Sequence, residues 1–225
     1  DNLSSWSFQG DFLVNSFAGG SGYNHKSIIS EGSGNDPFGW SVLILNNQSI
    51  NFYFNQNSVT LNYSLNENQW YNIAFTVSDN DTVNIYLDGQ QVLTSFVPNI
   101  NINTQSSLVF GRDIAYMWSN SATYPFEGSL DNFSIWNIPL SESDIQNYIN
   151  CPPVGNETGL VGYWNFEEGS GNTALDLTSN GNNGTINGPT YDINVPTQNC
   201  QLTNSNGCDS TAVLNLTINS GDTSY

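Results

Sequence analysis

The chain has 225 residues, with 20 acidic side chains against 2 basic ones and a formal net charge of −18. That balance excludes nucleic acid and anionic membrane surfaces as partners, because phosphate contact needs Lys and Arg; it leaves a cation such as calcium as the natural companion, or a charge that simply keeps a secreted protein soluble. Apolar residues make up 37% and aromatics 13%, enough for a real core, whereas charged residues are only 10%, so the polarity is carried by amides and hydroxyls.

Strand-like segments follow one another along the chain at roughly ten-residue spacing, which reads as an all-β, antiparallel sandwich. They run Trp6–Val14, Ile28–Glu31, Gly39–Leu45, Ile50–Phe54, Val59–Tyr63, Trp70–Val77, Val83–Leu87 and Gln91–Phe96, then Leu108–Gly111, Leu130–Trp136, Leu160–Phe166 and Val213–Ile218. The clearest alternation is Tyr71, Ile73, Phe75 and Val77, answered by Val83, Ile85 and Leu87; a period of two marks half-buried strands. Asp88-Gly89 closes that hairpin, since both residues tolerate the positive φ of a tight reversal. Asparagine fills about one position in six and, with Gly, Ser and Thr, punctuates the strands with turns. The one helix predicted is Ser141–Ile149, where Ser141-Glu-Ser-Asp144 resembles a capping box and Ile145, Tyr148 and Ile149 share a face; it is expected to lie on the surface over a sheet edge or end.

A boundary falls near residue 150, where Cys151-Pro-Pro-Val-Gly reads as a linker or crossover. Residues 1–150 form the sandwich, 151–200 a strand-turn segment, and 201–225 a short strand and polar tail. With three cysteines the fold does not rest on a disulfide framework. Cys151 and Cys200 are the expected pair, with Cys208 left over or pairing with Cys200 or with chain outside this sequence. No run is long and apolar enough for a transmembrane helix, and no basic-plus-apolar leader opens the chain, as expected of a soluble piece cut from something longer.

Two stretches carry a family resemblance. Trp70-Tyr-Asn-Ile-Ala-Phe-Thr running into Asn84-Ile-Tyr-Leu-Asp-Gly-Gln is similar to the central hairpin, and Phe110-Gly-Arg112 with Phe126-Glu-Gly-Ser-Leu-Asp-Asn-Phe-Ser-Ile-Trp-Asn-Ile-Pro-Leu-Ser-Glu-Ser-Asp-Ile145 to the closing strand and following helix, of the laminin-G-like, concanavalin A-like (pentraxin-like) lectin superfamily. The resemblance implies a jelly-roll sandwich over most of residues 1–150. Gly159-Leu-Val-Gly-Tyr-Trp-Asn-Phe-Glu-Glu-Gly-Ser-Gly-Asn172 and Asp176–Ile186 are similar to the opening strand and turn of the same family, but here they follow the closing strand. They either begin a second, truncated copy or supply a strand to the first sandwich; the second is preferred, because a lone strand-turn unit could not bury Trp164 and Phe166. Asn206–Ile218 resembles a short repeat of very large bacterial surface adhesins, which implies a module of a long exported chain at the cell surface, beside neighbouring modules of the same chain.

Catalytic chemistry finds little support. A glucanase of this fold needs an E-x-D-x-x-E set with its acids on one face of a strand; that pattern is missing, Glu167 and Glu168 alternate in direction, and Glu127 and Asp131 lack a third acid. His25 reads as a loop residue without a nucleophile beside it. In related domains a metal lies near the closing strand, which makes Asp131 the matching ligand and Asp113 its partner for calcium; the competing role for Asp131 is to cap backbone amides. Tyr116, Trp118 and Tyr124, with Asn120, fall in a long insertion, Asp113–Phe126, where aromatic faces and amides suit a glycan; alternatively Met117 and Trp118 plug the sandwich. The expected function is a non-catalytic extracellular module holding a glycan or peptide through a calcium-stabilised loop rim, against the alternatives of a ligand-free structural spacer and of a glycosidase or lyase.

Overall fold

The structure, a computed structural model, describes residues 2–17, 25–33, 36–54, 57–98, 100, 102–103, 107–112, 125–198, 200, 202–203 and 209–210. In chain order the strands are β1 (Asn2–Leu3), β2 (Trp6–Val14), β3 (His25–Ser33), β4 (Asp36–Leu45), β5 (Ile50–Phe54), β6 (Asn57–Leu61), β7 (Trp70–Val77), β8 (Thr82–Leu87), β9 (Gln90–Phe96), β10 (Ile102–Asn103), β11 (Ser107–Phe110) and β12 (Gly128–Trp136). After the helix α1 (Glu142–Asn150) come β13 (Leu160–Trp164), β14 (Thr173–Ala174), β15 (Gly184–Thr185), β16 (Leu202–Thr203) and β17 (Asp209–Ser210).

A six-stranded sheet, ordered β13-β12-β2-β7-β8-β9, faces a five-stranded one, β11-β3-β4-β5-β6, and the pairings within them are antiparallel. Side-chain alternation sorts each strand between the two faces. Trp6, Phe8, Phe12 and Val14 of β2 point inward with Tyr71, Ile73, Phe75 and Val77 of β7, and Val42, Ile44, Phe52 and Phe54 meet them from the other sheet. Trp6 and Phe75 pack edge-to-face at 4.8 Å, the arrangement that aligns a positive ring edge with a negative face. Gly10 is required in this layer: a Cβ there would stand 2.3 Å from the Phe133 ring.

The strands differ from the sequence reading mainly at their ends, because pairing with a neighbour extends them past the alternating residues. His25 is one such case: it opens β3, opposite Leu45, and is not in a loop. Val213–Ile218 lies outside the described residues, as does Cys208. At the β8–β9 reversal Asp88 has φ 49° and Gly89 φ 75°, and the Asp88 carboxylate accepts the Asn72 backbone N–H at 2.9 Å.

Helix α1 follows a full capping box: the Asp144 N–H donates to Ser141 Oγ, while the Asp144 carboxylate takes the Ser141 N–H. Ile145 is fully buried, and Tyr148 stacks on Trp136 at 4.9 Å. The helix therefore lies on the outer face of the six-stranded sheet, over a second small core of Ala74, Tyr86, Trp136, Leu140, Ile145, Leu160 and Tyr163. Ser141→Ala removes the cap and is expected to cost about 1 kcal/mol, read as a fall of about 2–4 °C in the thermal midpoint.

The 159–190 region joins the same body. β13 pairs with β12 through Phe133↔Trp164 and Ser134↔Tyr163, and Trp164 and Ala174 belong to the main core, with Phe166 and Ile186 packed against it. The other edge of β13 is capped by the 176–182 turn rather than by another strand: Asn180 Nδ2 and Asn182 Nδ2 donate to Val161 O, the Asp176 carboxylate takes the Tyr163 N–H, and the Leu177 N–H donates to Tyr163 O. Cys151 and Cys200 form a disulfide that closes the segment at its far end.

Candidate functional site

The long insertion rises from a pinned stem. Gly111, at φ 72°, donates its N–H to Ile28 O, and Phe126 N–H donates to Gly111 O, both at 2.8 Å. Ser30 Oγ donates to Arg112 O at 2.8 Å, which holds Arg112, the last described residue before the insertion, on the outer side of β3. Below it Phe110 packs on Phe133 and Trp164 at 5.1 and 5.2 Å. Lys26, only 5% exposed, locks the adjoining corner by donating to Ser16 O and to Glu127 Oε2, the latter at 2.7 Å. Tyr116, Trp118, Asn120, Tyr124 and Asp113 lie outside the described residues.

Ser30, paired with Val109 of β11, also belongs to a cross-strand row. Cα pairing runs Ser30↔Ser41↔Tyr53↔Ser58 across β3, β4, β5 and β6. Tyr53 lies between the inward Phe52 and Phe54 and so faces outward. The next row holds Leu43, Asn51 and Thr60, with Asn51 Nδ2 donating to Thr60 Oγ1 at 2.8 Å. Both rows are uncharged; Ser30, Ser41 and Leu43 are buried, so the polar groups open to solvent are those of Asn51, Tyr53, Ser58 and Thr60.

On the opposite sheet the outward positions of β2, β7 and β12 hold a buried polar cluster. Asp11 and Asp131 are direct Cα partners, 7% and 3% exposed. Asp11 accepts from Asn72 Nδ2 at 2.6 Å and Asn132 Nδ2 at 3.1 Å, Tyr163 Oη donates to Asn132 Oδ1 at 2.9 Å, and Gln9 Nε2 bridges Asn72 Oδ1 to the helix carbonyl of Ile145. Asp131 Oδ1 accepts the Asn132 N–H at 3.0 Å, a capping role made by the bulge between Asp131 and Ser134, where Asn132 takes φ 52°. Asp131 Oδ2 is buried with no hydrogen-bond partner.

Burial and the neighbouring Asp11 charge push the Asp131 carboxyl up to about 7, while burial, relieved only in part by the Asn72 and Asn132 hydrogen bonds, lifts Asp11 to about 6. Asp176 behaves oppositely. It too is desolvated, but hydrogen bonds from Thr178, Tyr163 and Asn182 outweigh burial and lower it, so it is a structural carboxylate that organises the 176–183 turn. Glu168 is likewise engaged, accepting the Leu175 N–H and the Tyr191 hydroxyl.

Residues 18–146, more than half of the chain, match Laminin_G_3, of the concanavalin A-like lectin/glucanases superfamily. The chain belongs to that family. No curated protein matches it. Among solved structures it is similar to a provisionally assigned carbohydrate-binding protein from Bacteroides ovatus (TM-score 0.64, 18% identity, covering 85% of this chain and 56% of that one). It also resembles a native heptameric SAP-like pentraxin from Limulus polyphemus (TM-score 0.52, 16% identity, 69% and 75% covered) and the Ruminococcus gnavus IT-sialidase CBM40 bound to α2,3-sialyllactose (TM-score 0.51, 16% identity, 64% and 82% covered). The chain thus spans about half of the length of the Bacteroides ovatus protein.

Within this laminin-G-like frame the sequence singled out Asp131 but missed the residues that surround it. Gln9, Asp11, Asn72 and Asn132 read as solvated, outward strand residues. The one signal available was their coincidence on a single face with the apolar Ala74 and Trp136, which marks an outer face that something covers.

Proposed function

We propose that the chain is a non-catalytic, extracellular module that binds neutral glycans on the outer face of the five-stranded sheet, at the foot of the insertion. The observation that carries this reading is the uncharged outward set Tyr53, Ser58, Asn51 and Thr60, beside the buried Ser30 and Ser41, of which Ser30 ties the sheet to the stem of a loop whose sequence contains Tyr116, Trp118, Asn120 and Tyr124. An aromatic ring offers its face to the apolar side of a sugar, while hydroxyls and amides meet the sugar's own hydroxyls without the desolvation cost of a charge. The two basic residues of the chain give little means to hold an anionic sugar. The neighbour that holds sialyllactose lends only its fold to this argument.

Hydrolysis would need two acids flanking an accessible bond. The closest carboxylate pair among the described residues with raised pKa values, Asp11 and Asp131, is buried on the other sheet. A disulfide at Cys151–Cys200 suits an oxidising, extracellular setting, and no helix among the described residues is long and apolar enough to cross a membrane. We place the module in a longer cell-surface adhesin, beside other modules of that chain.

For calcium, Asp131 has one oxygen to offer. Its unpartnered Oδ2 supplies one hard oxygen ligand in a negative environment, and a bound cation would neutralise that environment. The described residues hold no group of three acidic, His or Cys ligands, and both Asp11 oxygens already accept amide hydrogens. The stem of the insertion that carries Asp113 is pinned to the five-stranded sheet, whereas Asp131 faces outward from the six-stranded one, so Asp131 offers a single oxygen and not a completed calcium site. Trp118→Ala tests the binding reading: glycan-array signals of the intact chain should fall about tenfold or more, the size of losing one stacking partner, and chelation with EDTA should weaken them if the rim needs calcium. Equal signals for Trp118→Ala and the parent chain would remove the insertion from the site.

A further inference from the structure

A second surface has the same chemistry and lies on the opposite sheet. The inward side chains of β8 and β9 end in the core, with Val83, Ile85 and Leu87 at 0%, 0% and 3% exposure. Their outward side chains form a connected ladder: Tyr86 Oη donates to Gln91 Oε1 at 3.3 Å, Gln91 Nε2 to Thr94 Oγ1 at 2.9 Å, and Thr94 Oγ1 to Asn84 Oδ1 at 2.8 Å. At the end of this ladder Phe96, opposite Thr82 in the register, is 68% exposed, and Val92 is 38% exposed. Of residues 82–96 only Asp88 is charged, and it sits in the turn, occupied with the Asn72 N–H.

Three properties distinguish this strip from an ordinary solvated strand face. It carries no Lys, Arg or Glu, in a chain whose net charge is −18. Its polar atoms are already held in fixed positions by one another, so little side-chain freedom is lost when a ligand arrives. Helix α1 covers the neighbouring part of the sheet and stops against the hairpin, where Gln146 Nε2 donates to Gly89 O at 3.0 Å, leaving the Phe96 end open beside it.

We propose that the outer face of β8 and β9 is a second glycan site, a flat platform for an extended neutral polysaccharide, with Phe96 stacking on a ring and Thr94, Asn84 and Gln91 meeting hydroxyls. The proposal rests on the glycan-binding reading above and extends it to a different sheet. A strand presents side chains of one face along a line, which suits a linear chain better than a single terminal sugar. An anionic polymer is disfavoured by the charge of the whole chain.

The test is affinity electrophoresis of the intact chain in gels containing laminarin, galactomannan or xyloglucan. Phe96 is exposed, so Phe96→Ala should fold normally; it should weaken retardation about tenfold, Phe96→Tyr should restore it, and Asn84→Ala with Thr94→Ala should weaken it as well. Retardation of the parent chain that survives Phe96→Ala unchanged overturns the platform while leaving the glycan reading intact, whereas a parent chain that no neutral polysaccharide retards, here or on the array, removes both. If Phe96→Ala instead abolishes a concentration-dependent dimer seen by sedimentation, with no effect on retardation, the face is an interface between copies and the proposal is overturned.

Discussion

Asp131→Asn is expected to make the calcium-free chain more stable near neutral pH. Asparagine keeps an oxygen for the Asn132 N–H, which Asp131 Oδ1 now accepts, and replaces an orphaned, buried carboxylate oxygen by an amide that can donate toward Asp11. Removing a desolvated charge that faces another carboxylate should gain on the order of 1–3 kcal/mol. The sign with pH follows from the raised pKa values. In the unfolded chain both carboxyls titrate near 3.8, whereas folded Asp131 and Asp11 hold their protons to about 7 and about 6. Folding therefore takes up protons between these limits; the stability this provides is complete below about pH 4 and is lost as pH rises through 6 to 7. In EDTA the parent chain should melt at progressively lower temperature from pH 5 to pH 8, and the variant should show a flatter profile. A variant that melts below the parent throughout would mean that Asp131 acts mainly as a backbone cap.

Trp164→Ala carries the other large effect. Trp164 is 5% exposed, packs on Phe110 and donates its Nε1–H to Asn182 O at 3.0 Å. It therefore joins β13, the foot of the insertion and the 176–183 turn. Cavity formation at a buried tryptophan costs about 3–5 kcal/mol, and the unpaired Asn182 carbonyl adds to this. The expected result in chemical denaturation is a single transition at much lower denaturant, because the strand after the helix belongs to the same cooperative unit as β2 and β7. A separate early transition, or a loss below about 1 kcal/mol, would show that 160–186 adheres only loosely.

How far the sequence anticipates this structure depends on which face of a strand one asks about. Inward residues repeat with period two, so the positions of Tyr71, Ile73, Phe75 and Val77, and of the hairpin at Asp88-Gly89, follow from local pattern and turn chemistry alone. The capping box at Ser141 is equally local. Outward residues are a different matter, since a polar side chain on a strand reads as solvated unless one knows what lies above it. Asp11 and Asn72 become part of a buried cluster only because α1, more than 100 positions after Asp11 and 70 after Asn72, folds onto the same face, and no short-range signal contains that fact. The row from Ser30 to Ser58 was invisible for a related reason: it is made by register across four strands, each of which contributes one unremarkable hydroxyl. Asp131 was singled out through the family resemblance, and its burial and unpaired oxygen emerged only from the packing.

This laminin-G-like sandwich is expected to hold neutral glycans without cleaving them. The most direct measurement is incubation of the intact chain with neutral oligosaccharides that it retains on an array, followed by mass spectrometry of the recovered sugars. The expected result is retention with every oligosaccharide recovered at its original mass. Shortened products that disappear in a carboxylate variant, or the absence of retention by any neutral glycan with calcium present, would contradict it.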